Sequence, residues 1–99
     1  EAAGTKDDIS LPIEFGLSQN FPNPFNNRTH ISYNLDKAGW VSLTLYDIAG
    51  RELMNLAEDY HEVGSYTIGL DAGQLASGLY FARLQSGGRT AFIKLALLK

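Results

Sequence analysis

The feature that most restricts this chain is a period of two that returns run after run. In HISYNL, Ile31, Tyr33 and Leu35 fall on one side, and His30, Ser32 and Asn34 on the other. In WVSLTLYDI, Val41, Leu43 and Leu45 alternate with Ser42 and Thr44. Tyr66, Ile68 and Leu70 do the same in YTIGL, as do Tyr80, Ala82 and Leu84 in LYFARLQ and Ala91, Ile93, Leu95 and Leu97 in the closing RTAFIKLALLK. A helix needs its apolar residues every three to four positions, so this pattern gives strands with one face on a core and one in water. Between the runs stand DKAG (36–39), AG (49–50), VGS (63–65) and SGG (86–88), where glycine suits the positive φ of tight hairpins. With PIEFGL near the start and RELMNL at 51–56, the count reaches about seven strands with turns every 8–12 residues or so. That spacing predicts an all-β fold, an immunoglobulin-like antiparallel β-sandwich of about seven strands.

One stretch departs from the rhythm. LDAGQLASGLYF (70–81) opens with Asp71, a residue suited to capping a short turn, and Leu75 follows without alternation. Leu75, Gly78, Tyr80, Ala82 and Leu84 match the corner before a late strand of immunoglobulin-like sandwiches, where a tyrosine lies on the core and its hydroxyl bonds back to upstream backbone. Tyr80 is therefore expected to pin the crossover between the two sheets.

The 99 residues suit one domain, read as a linker or cut point at 1–10 and a sandwich over 11–99. EAAGTKDDIS lacks the charged-then-apolar layout of a signal peptide, so the chain reads as a fragment of something longer. A net charge of −3 offers no basic stripe for phosphates, and nucleic acid is not an expected partner. No apolar run approaches the ~20 residues of a membrane helix. The absence of cysteine excludes disulfides, thiolate metal sites and thiol catalysis, leaving packing to supply stability.

Nothing in the remaining residues points to an enzyme, a metal or a cofactor. His30 and His61 fall in unrelated segments with no ligand spacing, and His30 is expected on an exposed strand face. No Gly-x-Ser-x-Gly elbow surrounds a serine, and Asp7-Asp8, Glu58-Asp59 and Glu62 make no calcium loop. Asn27-Arg28-Thr29 fits a glycosylation acceptor and Asn23-Pro24-Phe25 an adaptor-binding peptide, but three-residue patterns recur by chance. Trp40, Tyr46, Tyr60, Phe81 and Phe92 are expected to face outward. Trp40 and Tyr46 would form the sugar-stacking platform if the chain were a carbohydrate-binding or structural accessory module of a secreted glycoside hydrolase. Aromatics covering sandwich edges are the more ordinary reading.

NFPNPFNN (20–27) suits neither a helix nor a central strand. It reads as a structural corner leading into the first long strand, with asparagines closing turns on neighbouring amides and Phe21 and Phe25 stapling the corner to the core.

The order N-F-P-N-P-F-N, T-H-I-S-Y-N-L, L-Y-D-I-A-G-R-E-L, S-G-L-Y-F-A-R-L and K-L-A-L-L-K resembles the C-terminal sorting domain of the type IX secretion system of the Bacteroidetes and related phyla, from about Leu17 to Lys99. The YDxxGRE hairpin is also similar to the immunoglobulin-like domain of the flagellar hook-capping protein. The resemblance implies a non-catalytic sorting signal at the end of a secreted protein, whose N-terminal passenger is often a hydrolase, protease or adhesin. It implies transit through the periplasm, recognition by the outer-membrane translocon and sorting machinery, and delivery to the cell surface or outside. In many members the domain is cleaved at its linker and the passenger joined to an anionic lipopolysaccharide. The recognition positions carried over are Pro22, Asn23 and Pro24, then Gly78, Tyr80 and Arg83, then Lys94 and Lys99. Asn27 stands where the family commonly has proline. The last strand would offer main-chain groups for a receptor to extend by strand addition, unless its lysines serve to discourage edge pairing.

Overall fold

The alternating runs fold as read. The computed structural model describes residues 13–99, and over that span it holds seven strands and no helix. They are β1 (Gly16–Leu17), β2 (Arg28–Leu35), β3 (Gly39–Asp47), β4 (Glu52–His61), β5 (Gly64–Asp71), β6 (Gly78–Ser86) and β7 (Arg89–Leu97). Two antiparallel sheets face each other, one in the order β1-β2-β5 and the other β4-β3-β6-β7. The sides chosen by the alternation close on one another. Ile31, Tyr33 and Leu35 of β2 meet Val41, Leu43 and Leu45 of β3, Ala82 and Leu84 of β6, and Leu95 and Leu97 of β7, all at most 1% exposed. Each of these larger side chains contributes roughly 1.5–3 kcal/mol by leaving water. The expected linker at 1–10 lies outside the described residues.

Two of the four turn signals do not close hairpins. AG at 49–50 joins β3 to β4, and Gly87 and Gly88, both at positive φ (59° and 79°), join β6 to β7, in each case within one sheet. DKAG at 36–39 and VGS at 63–65 instead carry the chain from one sheet to the other, because β2 and β5 belong to the three-stranded sheet while β3 and β4 belong to the four-stranded one. Glycine reports a reversal of direction but not which strand the chain meets afterwards. β1 is also shorter than PIEFGL suggested, pairing only Gly16 with Asn34 and Leu17 with Tyr33. β4 is longer than RELMNL. Its register against β3 slips twice, between Leu43 and Thr44 and between Leu45 and Tyr46, and each irregularity displaces the side-chain alternation. The residues skipped are Leu56 and Leu53, so the disturbed stretch is LMNL, while AEDYH pairs with β3 without interruption.

At one end of the sandwich the sheets are clamped by charge. Arg89, opening β7, donates from Nη1 and Nη2 to the two carboxylate oxygens of Asp36, just after β2, at 3.0 and 2.5 Å. Its guanidinium lies 4.4 Å from the ring centre of Phe15. The Arg89 hydrogen bonds hold the Asp36 carboxyl below the usual carboxylate range, and the Arg51 backbone N–H does the same for Asp47. A carboxyl whose pKa is depressed on folding stabilises the fold above its unfolded pKa of about 3.9 and loses that contribution as pH falls through the folded value. The urea midpoint will therefore hold from neutral pH to about pH 5 and drop below about pH 4. Asp36→Asn will lower the midpoint at pH 7 and flatten the acid drop. An unchanged acid slope in that variant would remove Asp36 from the explanation.

Candidate functional site

At the other end of the sandwich the proline-rich segment is tied to the last strand. Asn20 is 2% and Thr29 1% exposed, so their polar groups need partners. Thr29 Oγ1 donates to the Pro22 carbonyl at 2.8 Å, and Asn20 Nδ2 donates to the same carbonyl at 3.0 Å and to Thr29 Oγ1 at 3.1 Å. Gln19 Nε2 donates to Asn20 Oδ1 at 2.7 Å and to the Lys94 carbonyl of β7 at 2.6 Å. A polar chain thus runs from β7 through the loop to β2, one strand in each sheet. Both Phe21-Pro22 and Asn23-Pro24 are cis.

Beyond the prolines the loop lies along the outer edge of β7. The Ala96 N–H donates to Asn23 Oδ1 at 3.1 Å, the Phe25 N–H to the Ala96 carbonyl at 2.9 Å, and the Leu98 N–H to the Phe25 carbonyl at 2.8 Å. Phe25 itself is 3% exposed and sits in the core. Asn23 therefore bonds across to β7 rather than closing a turn on a neighbouring amide. Phe21 is not a staple: at 79% exposed it stands in water. Its backbone pairs with His30, whose side chain faces outward, and paired residues of antiparallel backbone share a face. The edge from Lys94 to Leu98 is accordingly not open for strand addition, since the chain's own residues 19–25 already fill it.

The tyrosine corner is present. Tyr80 is 8% exposed, and its hydroxyl donates to the Ala76 carbonyl four residues upstream at 2.5 Å. Asp71 caps the turn before it, accepting the Gly73 N–H at 3.0 Å, and Leu75 packs against the core. Gly78 begins β6 beside Leu97 with φ of 154°, a backbone setting that strains other residues, although a side chain there would meet open space. Lys99 completes this end, its N–H on Ser77 Oγ at 3.0 Å and its Nζ on the Gly73 carbonyl at 2.5 Å. Of the residues singled out from sequence, Pro22, Asn23, Pro24, Gly78, Tyr80 and Lys99 thus gather at one end.

Arg83 and Lys94 point elsewhere, onto the outer face of the four-stranded sheet. There Phe92 stands opposite Arg83 and Lys94 opposite Phe81. The supposed sugar platform does not exist as one surface. Trp40 and Tyr46 share that face but lie six positions apart along β3, about 20 Å of strand. Trp40 has Tyr60 across from it, while Tyr46 joins Phe81, Arg83 and Phe92. Within the two tripeptide patterns, the Thr29 hydroxyl is buried in hydrogen bonds and Phe25 is in the core, while Asn27 is exposed.

One cluster escaped the sequence reading. His61 closes β4, and its Nε2 lies 2.8 Å from the Tyr33 hydroxyl, with the Tyr66 ring 4.5 Å from the imidazole. Burial, and then the neighbouring Tyr66, push the Tyr33 hydroxyl pKa upward. Alternation identified Tyr33 as core, but nothing in the spacing joined it to His61. His30 and His61 do not meet. Among the described residues no three His, Cys, Asp or Glu side chains converge on one point, and no helix is long and apolar enough to cross a membrane.

Residues 19–97 match the model of a family described as the secretion system C-terminal sorting domain. No curated protein matches the chain. The match starts at the glutamine that reaches β7 and ends with β7 itself, so it takes in every contact of this end except those of Leu98 and Lys99. The chain belongs to the family of secretion-system C-terminal sorting domains, the folded signals by which passenger proteins are sent through the type IX secretion system to the cell surface or beyond.

Proposed function

We propose that the sorting machinery reads the folded end built by the proline loop, the start of β6 and the last residues of the chain. The observation that carries this is the set of hydrogen bonds between Gln19, Asn23 and Phe25 on one side and Lys94, Ala96 and Leu98 on the other, which joins the early loop and the last strand into one surface. Within that surface Pro22, Asn23, Pro24 and Lys99 are exposed, while Tyr80 is buried and holds the shape. The domain acts without catalysis. Its partners are an N-terminal passenger and the outer-membrane translocon, met after passage through the periplasm, with cleavage at the preceding linker. Because residues 19–25 cover the edge of β7, recognition is by surface shape and exposed charge rather than by extension of that edge.

Deleting KLALLK would not test this, since it removes Leu95 and Leu97 from the core. The useful variants are Pro24→Ala, Lys94→Gln and Lys99→Gln, all at exposed positions. Each is to be joined to a signal-bearing reporter in a type IX-competent bacterium. Export is expected to fall severalfold for Pro24→Ala and for Lys99→Gln, and the purified Lys99→Gln domain to melt within about 2–4 °C of the parent, so that Lys99→Gln separates recognition from stability. Lys94→Gln, on the sheet face, reports whether recognition extends beyond this end. Undiminished export in both Pro24→Ala and Lys99→Gln would overturn the proposal.

A further inference from the structure

The outer face of the four-stranded sheet carries an arrangement that the sorting reading does not use. Of the four arginines, Arg28, Arg51 and Arg89 each have an aspartate, respectively Asp71, Asp47 and Asp36. Arg83 has none among the described residues. Its guanidinium lies 4.9 Å from the ring centre of Tyr46, and its Nε–H is shut off from solvent with no hydrogen-bond partner there. An unmet donor on a charged group is costly, and stacking on a ring supplies no acceptor.

Around it lies a depression of about 430 Å³ walled by Tyr46, Ile48, Phe81 and Phe92. Ile48 and Phe92 are 72% and 61% exposed, so the apolar surface runs on past the depression. The nearby charges leave the site positive. Asp47 is neutralised, with Oδ1 accepting the Ala49 and Arg51 N–H groups and Oδ2 accepting Arg51 Nε–H. Lys94 stands across from Phe81, and Glu52 stands at the far side, across from Tyr46.

We propose that this face binds a short segment of a partner protein in which one carboxylate is flanked by apolar side chains. A wholly apolar segment would bury the guanidinium further without pairing it. A polyanion would find one arginine and one lysine amid aromatic rings, too few cations to repay its desolvation. A single carboxylate on the Nη–H groups supplies the counter-charge that Arg83 lacks, and apolar side chains on Phe92 and Ile48 cover the exposed apolar surface. An open face whose apolar surface continues beyond the depression fits a chain that runs on, not a small molecule that must be enclosed. The proposal does not depend on which protein carries the segment or on how the domain is exported.

The test is titration of the ¹⁵N-labelled domain with the peptide N-acetyl-Leu-Glu-Leu-amide and with its glutamine counterpart, followed by the backbone amides and the Arg83 Nε–H signal. Saturable shifts are expected at Arg83, Tyr46, Phe81 and Phe92 with the glutamate peptide. The glutamine peptide, and Arg83→Gln with the glutamate peptide, will each bind about tenfold more weakly, the equivalent of ~1.4 kcal/mol. Equal affinity of the two peptides, shifts centred elsewhere, or no shift at Arg83 would overturn the proposal. So would a concentration-dependent dimer in sedimentation velocity that protects these same signals, since a second copy would then be the occupant. The comparison of the two peptides uses the unaltered domain and stands even if Arg83→Gln fails to fold.

Discussion

Tyr80→Ala will lower the free energy of unfolding by about 3–5 kcal/mol, while Tyr80→Phe will cost about 1 kcal/mol. Alanine loses the buried ring and leaves a cavity between β6 and the opposing sheet, where the ring is 8% exposed. Phenylalanine keeps the ring and loses only the bond from the hydroxyl to the Ala76 carbonyl. That bond matters beyond its own energy, because it fixes the connection from β5 in one sheet to β6 in the other. Domains of this kind are stable by about 5–15 kcal/mol, so the alanine variant loses a large share of its margin. Urea denaturation followed by tryptophan fluorescence measures both, since Trp40 is the single tryptophan. Equal midpoints for Tyr80→Phe and the parent would show that the corner is held by the ring alone.

The corner could be found in the sequence because its parts are local. Asp71, Leu75, Gly78 and Tyr80 lie within ten positions, and each has a distinct reason to be there: a capping carboxylate, a core side chain, a glycine-only backbone angle and a hydroxyl on a core ring. The sandwich itself was equally legible, since a period of two assigns each strand's buried face without reference to its partners. Information that depends on the partner was not legible. The same glycine signals mark the hairpin at 87–88 and the crossing near Gly64, and only the sheet to which β5 belongs tells them apart. Trp40 and Tyr46 share a face by parity, but parity does not say that about 20 Å of strand separates them.

The candidate site divides along the same line. Phe21 and Phe25 stand in equivalent positions on either side of Pro22-Asn23-Pro24, and no property of the side chains distinguishes them. The distinction comes from long-range pairing. Phe21 takes its place from His30 in the three-stranded sheet, and Phe25 from Leu97 in the other. The half-buried Tyr33–His61 contact, 28 positions apart, is hidden for the same reason.

The two phenylalanines therefore give the sharpest contrast in the molecule. Phe25→Ala will cost about 3–5 kcal/mol, as expected for deleting a buried ring, whereas Phe21→Ala will stay within about 0.5 kcal/mol of the parent. The first substitution also acts at a distance. Phe25 anchors the loop that accepts the Ala96 N–H on Asn23 Oδ1 and the Leu98 N–H on the Phe25 carbonyl, and without the anchor these bonds are left in a polar, solvent-flanked segment. Amide hydrogen exchange at Ala96 and Leu98 will then accelerate well ahead of exchange at Leu95, whose bonds point inward to β6. If exchange at all three accelerates together, the loop and strand open only with the whole sandwich, and the end face is one cooperative unit. If the two edge amides open first, the loop is a separable cover on β7. Recognition of the end face would then be lost before the fold is, and export and melting temperature could be varied independently in the same domain.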